Sequence, residues 1–343
     1  MNADRFAEIT DRYAGLNVVV VGDFCLDRYL EIDPARAEIS IETGLPVYNV
    51  VNVRSQPGAA GTILNNLVAL GAGRIHPVGF CGCDGEGYEL QQALGALRGV
   101  CGERLLQTSQ RRTFVYCKPL IMEPGQAPRE LNRLDSKNWT VTPEEVSAAL
   151  AEAVRDLGRS ADAIIVLDQV DQEGTGVVTR EVLEAVAQVA KARPHMPVLA
   201  DSRRGLRGFP ALIFKMNGVE LAALLGETAP GSPELQECQE RAAELARRNG
   251  RPVIVTLAEQ GMLGALPGGE IAHVPALPLR GEIDIVGAGD SVTANVTAAL
   301  AAGANLREAL ELAALASSHV IHQLGTTGAA GVADLRALRT LLG

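Results

Sequence analysis

In the second half of the chain, short β-branched runs alternate with helical spans, and this pattern constrains the fold more than any other feature. The runs IIVLD (164–168), VLAD (198–201) and VIVTL (253–257) are strand candidates. Helices are expected across 177–191 and 232–249, with two more near 288–302 and 305–322, separated by Gly303 and closing the chain. Strands that alternate with helices form a parallel sheet, because each crossover lays a helix on one of its faces. The expected fold class is α/β, a doubly wound and mostly parallel sheet with helices on both faces. Val18–Val21 fits this scheme as a strand buried on both sides, ending in Gly22-Asp23. Ligands of such sheets bind outside the carboxyl ends of the strands. Asp23, Asp27, Asp168, Asp201 and Thr256 stand at or just beyond such ends.

Between Leu30 and Gln56 the texture changes. PVYNVVNV (46–53) is β-prone but interrupted by Pro34, Gly44 and Pro46 nearby, with no helical period. The reading is one domain over 1–343 with a small β-rich lid inserted at 30–57, to which parts of 104–135 return. Those parts include TFVYCKPLIM (113–122) and LNRLD (131–135). A helix is expected from Gly58 to about Leu70, ended by Gly71, then a strand near 74–79 and a helix near 85–97. Thr142 is the expected N-cap of a helix opening at Pro143-Glu144-Glu145. An exposed lid edge invites pairing with a second copy, so a homodimer is expected.

Composition removes several classes of function. Net charge is −10 without a basic run, which argues against a nucleic-acid partner. Phosphate binding stays open, since backbone amides can supply the attraction. The six cysteines show neither a disulfide framework nor paired C-x-x-C spacing, and Cys81 and Cys83 read as free thiols. MNADRFAEIT is not a signal peptide, and no apolar run reaches membrane-spanning length, so the chain reads as cytoplasmic with no membrane partner. The P-loop, G-x-G-x-x-G, G-x-S-x-G and H-E-x-x-H motifs are missing from the sequence. His319 and His322 lie three apart on an expected helix, without a third metal ligand.

The sharpest chemical signal is DIVGAGD (284–290), followed by SVTANVTAALAAG. Gly287, Ala288 and Gly289 make a turn with almost no side-chain bulk at a helix N-terminus. Unpaired amides and the helix dipole favour an anion there. Asp290 stands in the first turn beside that anion hole, where a carboxylate can accept a proton from a hydroxyl attacking a phosphate. Taken alone, the pattern would also suit an aspartate that merely caps a helix.

The surrounding motifs resemble the ribokinase/PfkB family of carbohydrate kinases over nearly the whole chain. VVVVGDFCLDRYL (18–30) is similar to the family's first strand, and PGAAGTILNNLVALG (57–71) to its glycine-rich sugar segment. VGFCGCDGEGYEL (78–90) is similar to its G-x-D-x-x-G stretch, MNGVE (216–220) to its N-x-x-E motif, and VTLAEQGMLG (255–264) to its nucleotide loop. DIVGAGD matches its C-terminal signature. The resemblance implies a ribokinase-like fold, ATP as phosphoryl donor and Mg²⁺ as cofactor. It implies Asp290 as catalytic base, with Gly287, Ala288 and Gly289 as anion hole and Asp27 and Gly58 at the sugar. Asn217 and Glu220 would organise Mg²⁺ and phosphate through water, and Thr256 and Gly261 would line the ATP site. Many members are stimulated by a monovalent cation near the anion hole, a point the residues leave open.

Within the family, the likeness is to the heptose 7-phosphate kinases of ADP-heptose synthesis. It rests on GDFCLDRYL (22–30), GLPVYNVVNVRSQPGAA (44–60), NRLD (132–135) and ADSRR (200–204). A phosphorylated sugar needs cations, and Arg111, Arg112, Lys118 and Arg133 lie in the β-rich stretch that could supply them. Gly58-Ala59-Ala60-Gly61-Thr62 stands where those kinases usually show Gly-Gly-Ala-Ala-Asn, and Cys25 where many relatives place a polar residue. These departures touch the choice of sugar, not the phosphoryl-transfer machinery. Another sugar or a nucleoside as acceptor, or a non-catalytic binding protein on the same fold, are the alternatives. The chain shows no H-x-G-H motif up to Gly343, so no fused nucleotidylyltransferase is expected.

Overall fold

The computed structural model describes residues 1–227 and 234–342. The strands in chain order begin with β1 Asn17–Gly22, β2 Phe24–Ile32, β3 Glu38–Ile39, β4 Pro46–Val47 and β5 Val50–Ala59. Then come β6 Arg74–Gly82, β7 Leu105–Thr108, β8 Phe114–Ile121, β9 Arg129–Glu130 and β10 Leu134–Ser136. The second half adds β11 Ala163–Asp168, β12 Val198–Ser202, β13 Ile213–Asn217, β14 Val253–Thr256, β15 Met262–Ala265 and β16 Ile271–Val274. Nine of these form one sheet in the order β16-β15-β14-β13-β12-β11-β1-β6-β7. It is parallel from β14 to β7, and β15 and β16 add an antiparallel edge.

The valine run explains why this sheet is buried on both faces. Val18 and Val20 join one hydrophobic cluster, Val19 and Val21 the other, as a two-residue period demands. The first cluster packs beneath helices Ala60–Ala69, Ala288–Ala301 and Leu306–Val320; the second lies beneath Glu144–Gly158, Arg180–Ala192 and Leu235–Asn249. Full burial of a valine is worth about 1.5–3 kcal/mol, so both faces contribute to the platform.

A second sheet, the clasp, has the order β10-β8-β2-β5, with β9 pairing to β8 and the β3-β4 hairpin beside it. Its strand β2 follows β1 after one intervening residue, Asp23. Asp23 is 1% exposed, and its carboxylate accepts the amides of Gln169 (2.8 Å) and Val177 (2.7 Å). Burial, and then the neighbouring Asp168 charge, push its pKa up to about 7. That buried carboxyl binds the loop after β11 to the end of β1.

Several boundaries differ from expectation. Gly58 lies inside β5, and the helix after it begins at Ala60. Gly71 follows that helix with a φ of +81°, as a terminating glycine should. Thr142 is not an N-cap: Pro143 holds that position, and the Thr142 hydroxyl donates to Gly176 O at 2.6 Å. Residues 232–233 of the expected 232–249 helix lie outside the described residues, and the observed helix is Leu235–Asn249. Three further helices, Ala3–Thr10, Gly218–Leu225 and Val332–Leu342, had no sequence expectation, and the last of them, not 305–322, closes the chain. No helix among the described residues is long and apolar enough to cross a membrane.

Candidate functional site

The cleft lies where the carboxyl ends of the parallel strands meet the clasp. Gly287, at φ +83°, caps the helix Ala288–Ala301 without any side-chain cap, which leaves the first turn's donors to other partners. The Ala288 amide closes the turn itself by donating to Ile285 O at 3.2 Å. Of the three residues expected to form the anion hole, Gly287 and Gly289 therefore keep amides unpaired among the described residues, and Ala288 does not. A methyl group at Gly287 would sit 3.4–3.5 Å from Thr327 and Thr62, and one at Gly289 would sit 3.1 Å from Lys215 Nζ.

Asp290, in that first turn, is half-buried. Desolvation pushes its pKa up to about 7, with Lys215 pulling it down and the Asp201 and Asp27 charges adding to the rise. A carboxylate near neutrality is tuned to take a proton at physiological pH. Lys215 was missed in the sequence. It is 7% exposed, and its ammonium donates to Asp201 Oδ2 at 2.6 Å, which also accepts Thr293 Oγ1 at 3.3 Å. Burial works against the ammonium, yet Asp201, and more weakly Asp290 and Glu220, hold its pKa above the ordinary value. A signal existed: Lys215 interrupts the apolar run of β13 two residues before Asn217, so both share one strand face.

Asn217 and Glu220 make a reciprocal capping box at the start of the helix Gly218–Leu225. Asn217 Oδ1 accepts the Glu220 amide at 2.9 Å, and Glu220 Oε2 accepts the Asn217 amide at 2.8 Å. Burial, countered by the Asn217 amide and raised again by Asp201, leaves the Glu220 pKa above its usual value. Its second oxygen is a hard donor on a fixed side chain, which suits Mg²⁺ held directly or through water. Thr256 closes β14, with its hydroxyl 3.5 Å from Met216 O. Gly261 has a steric explanation: at φ +86°, a methyl there would meet Val274 O at 2.1 Å.

On the clasp side, Asp27 is 4% exposed on β2, with no hydrogen bond to its carboxylate among the described residues. Burial raises its pKa against the pull of Lys118 and Arg133. Gly58 stands beside it, where a methyl would lie 2.8 Å from the carboxylate. The two expected sugar-site residues are thus brought together. Of the four expected cations, Lys118 and Arg133 act on Asp27; Arg133 stacks 4.8 Å above the Tyr116 ring and pairs with Asp135. Arg111 is a correction. It is 5% exposed and donates to the carbonyls of Thr140 and Thr175, so it braces two loops instead of meeting a substrate. Arg112 is exposed, its backbone tied to Asn138. Burial raises the pKa of both Cys25 and Tyr116, and Arg203, unforeseen as a site residue, is a nearby cation that works against that rise.

Gln56 joins the two halves. Its amide donates to Thr327 Oγ1 at 2.8 Å and accepts from Thr326 Oγ1 at 3.4 Å, linking β5 to the loop beside Gly287. Ala59, where the heptose kinases usually carry glycine, adopts φ +53°, ψ −116°, and Ala258 has φ +49°. Both are strained for an L-residue. His319 and His322 face separate partners: His322 Nδ1 bonds Ser318 O at 2.7 Å, and His319 lies 3.9 Å from Asp334.

A carboxylate of raised pKa at a helix start with free amides, facing a buried lysine of the neighbouring strand on a doubly wound sheet, fits a phosphoryl-transfer enzyme. Comparison with known proteins gives the family. The pfkB family carbohydrate kinase model matches residues 16–330, and the chain belongs to that family; it is a sugar kinase. The bifunctional protein HldE of Caulobacter vibrioides is 32% identical over 328 residues, 94% of this chain and 63% of that protein. HldE of Rhodospirillum rubrum is 32% identical over 335 residues, 96% of this chain and 64% of that protein. The chain thus spans less than two thirds of these relatives. Among solved structures, phosphofructokinase-2 of Escherichia coli in complex with potassium aligns with a TM-score of 0.69 at 19% identity, covering 95% and 99% of the two chains. Arabidopsis thaliana ribokinase complexed with ribose and ATP aligns at 0.64 and 19% identity, covering 94% and 98%. These likenesses establish the ribokinase-like α/β fold.

Proposed function

We propose that the enzyme transfers the γ-phosphoryl group of ATP to a hydroxyl of a phosphorylated sugar, with a heptose 7-phosphate phosphorylated at its 1-hydroxyl as the preferred acceptor. The observation that carries the reaction type is Asp290, its pKa near 7, set beside Lys215 at a helix start with unpaired amides. The HldE relatives and the cations around Asp27 favour a phosphorylated acceptor.

Asp27 binds acceptor hydroxyls, and Lys118, Arg133 and Arg203 balance the negative charge of the substrate phosphate. The Asp290 carboxylate takes the proton of the attacking hydroxyl. A new oxygen–phosphorus bond forms as the bond to ADP breaks, and the Gly287 and Gly289 amides carry the charge on the phosphoryl oxygens. Lys215 neutralises the same region and limits repulsion between Asp201 and Asp290. Glu220, oriented by Asn217, would hold Mg²⁺, which supplies charge neutralisation on the nucleotide phosphates. Thr256 and the turn at Gly261 border the nucleotide, and the clasp excludes water.

The outer surface of the clasp supports a homodimer as part of this reading. Ile39, Ile41, Leu45, Tyr48 and Val51 are exposed there, Ile41 at 98%, a patch that a second copy would cover.

The test measures ADP release from Mg-ATP with heptose 7-phosphate, fructose 6-phosphate, ribose and nucleosides. Heptose 7-phosphate should give the highest kcat/KM by at least about tenfold. Preference for an unphosphorylated acceptor would overturn the assignment of the clasp cations. Ala59 and the buried Thr62, set against the usual Gly and Asn, favour a different phosphorylated sugar as the second reading, and the same panel decides it.

A further inference from the structure

We infer that His76, Cys101 and Glu103 form a divalent-metal site, suited to Zn²⁺, at the end of the main sheet away from the catalytic cleft. One ring nitrogen of His76, the Cys101 thiol sulfur and a Glu103 carboxylate oxygen lie within 4.8 Å of one another. His76 sits near the amino end of β6, whereas the phosphoryl-transfer residues gather at the carboxyl ends of the strands. The chemistry proposed for the cleft uses none of the three.

The backbone builds this corner with some care. Gly99, at φ +82°, turns the chain where a methyl would sit 3.0 Å from Gly73 O. The segment then runs alongside β6, with Ile75 N donating to Gly99 O at 2.9 Å and Cys101 N to Ile75 O at 2.8 Å. The short 3₁₀ turn Gly102–Arg104 carries Glu103 to the same place. Cys101 and Glu103 are thus held next to a strand residue distant in sequence. His76 is 6% exposed, yet its Nδ1 has no hydrogen-bond partner among the described residues. A buried, unpartnered imidazole nitrogen is costly, and a metal ion or a ligand on it removes that cost.

Imidazole, thiolate and carboxylate together are a zinc donor set, and three protein ligands leave a fourth position for water. Zinc–sulfur and zinc–nitrogen bonds of about 2.3 and 2.0 Å require the three atoms to draw together by roughly 1 Å. Glu103 is exposed and Cys101 half-buried, so both side chains are free to close on an ion. Burial, and then the Arg74 cation, lower the His76 pKa, and the Glu103 carboxylate works against both. Binding exchanges the thiol proton for the metal: a sulfur–zinc bond forms, the proton goes to water, and no electron is transferred.

The full chain, stripped by a chelator, is titrated with Zn²⁺ by calorimetry and with Co²⁺ by absorbance. A single equivalent of metal and a thiolate-to-cobalt charge-transfer band are expected. Cys101→Ser should abolish the band, His76→Gln should weaken zinc binding about 100-fold, and exposed Glu103→Gln about tenfold, the two direct losses exceeding or matching what outer-shell changes cost. Mg-ATP turnover of Cys101→Ser and Glu103→Gln should stay at the wild-type level, which separates this site from the catalytic cleft. Absence of the band in folded wild-type protein, or zinc uptake unchanged by both Cys101→Ser and Glu103→Gln, overturns the assignment.

Discussion

In the nine-stranded sheet every residue from Val18 to Val21 is buried, alternately under two layers of helices. In the clasp, β5 buries Pro57 and Gly58 but leaves Val50, Val51 and Val53 exposed. The first sheet is covered by helices of its own chain on both faces, whereas the second leaves the first half of β5 exposed among the described residues. This contrast maps onto the chemistry. Asp290, Lys215 and Asp201 sit on the finished platform, where their charges are fixed before substrate arrives. Asp27 and Gly58 sit on the clasp, so the proposed acceptor recognition would be built on the sheet whose outer strand is exposed.

The contrast predicts that platform changes stop chemistry while clasp changes alter recognition and assembly. Asp290→Asn should lower kcat by about 10²–10⁴ while ATP binding is kept, the usual worth of a general base. Near-normal turnover in isothermal assays would remove Asp290 from the mechanism. Because the folded pKa of Asp290 is raised to about 7, its ionised form costs stability. That cost is absent below the unfolded value of about 3.9 and complete above about 7. Wild-type kcat/KM should therefore rise with pH through about 7, and Asp290→Asn should gain Tm relative to wild type only as pH climbs through that window.

Lys215→Met leaves the half-buried Asp201 without its cation and should cost about 2–3 kcal/mol in denaturant unfolding, below the full penalty of an unpaired buried charge. The double change Lys215→Met/Asp201→Leu should recover most of the loss. Equal losses in the single and double variants would show that the pair is not what matters. On the clasp, Gly58→Ala displaces the Asp27 carboxylate and should raise the acceptor KM about 10- to 100-fold, as for a hydrogen bond to a charged group, with the ATP KM unmoved. Ile41→Ser should weaken self-association about tenfold by light scattering, through lost apolar burial, and leave the monomer's Tm unchanged. A monomeric wild type would remove the premise. The smallest effect is expected at the seam: Ala59→Gly relieves φ +53° and should stabilise by about 1 kcal/mol in thermal unfolding.

Much of the platform could be read from the sequence because its signals are local. The valine run, the strand-ending aspartates and the glycine turn before Asp290 each announce themselves within a few residues. What stayed hidden depends on partners far along the chain. Lys215 reads as one polar residue in a strand until β12 brings Asp201 against it. Arg111 looks like a substrate cation until the loops at Thr140 and Thr175 close over it. β2 is hard to separate from β1 because only Asp23 divides them and β2 opens on the apolar Phe24-Cys25-Leu26. The terminal helices carry weaker signals, because Ala3–Thr10 is only eight residues long and Val332–Leu342 follows a long helix after an irregular stretch. At Gly58 the motif was legible, but its reason, room for the Asp27 carboxylate, appears only in three dimensions.

The Gln56 side chain works as a latch. It grips the 326–327 loop from the flap, and Thr327 in turn abuts the bend at Gly287. The flap cannot swing outward without first releasing that grip or dragging the bend along. Strand β5 and the bend at Gly287 are therefore mechanically joined, and a displacement of either is passed to the other through one side-chain amide.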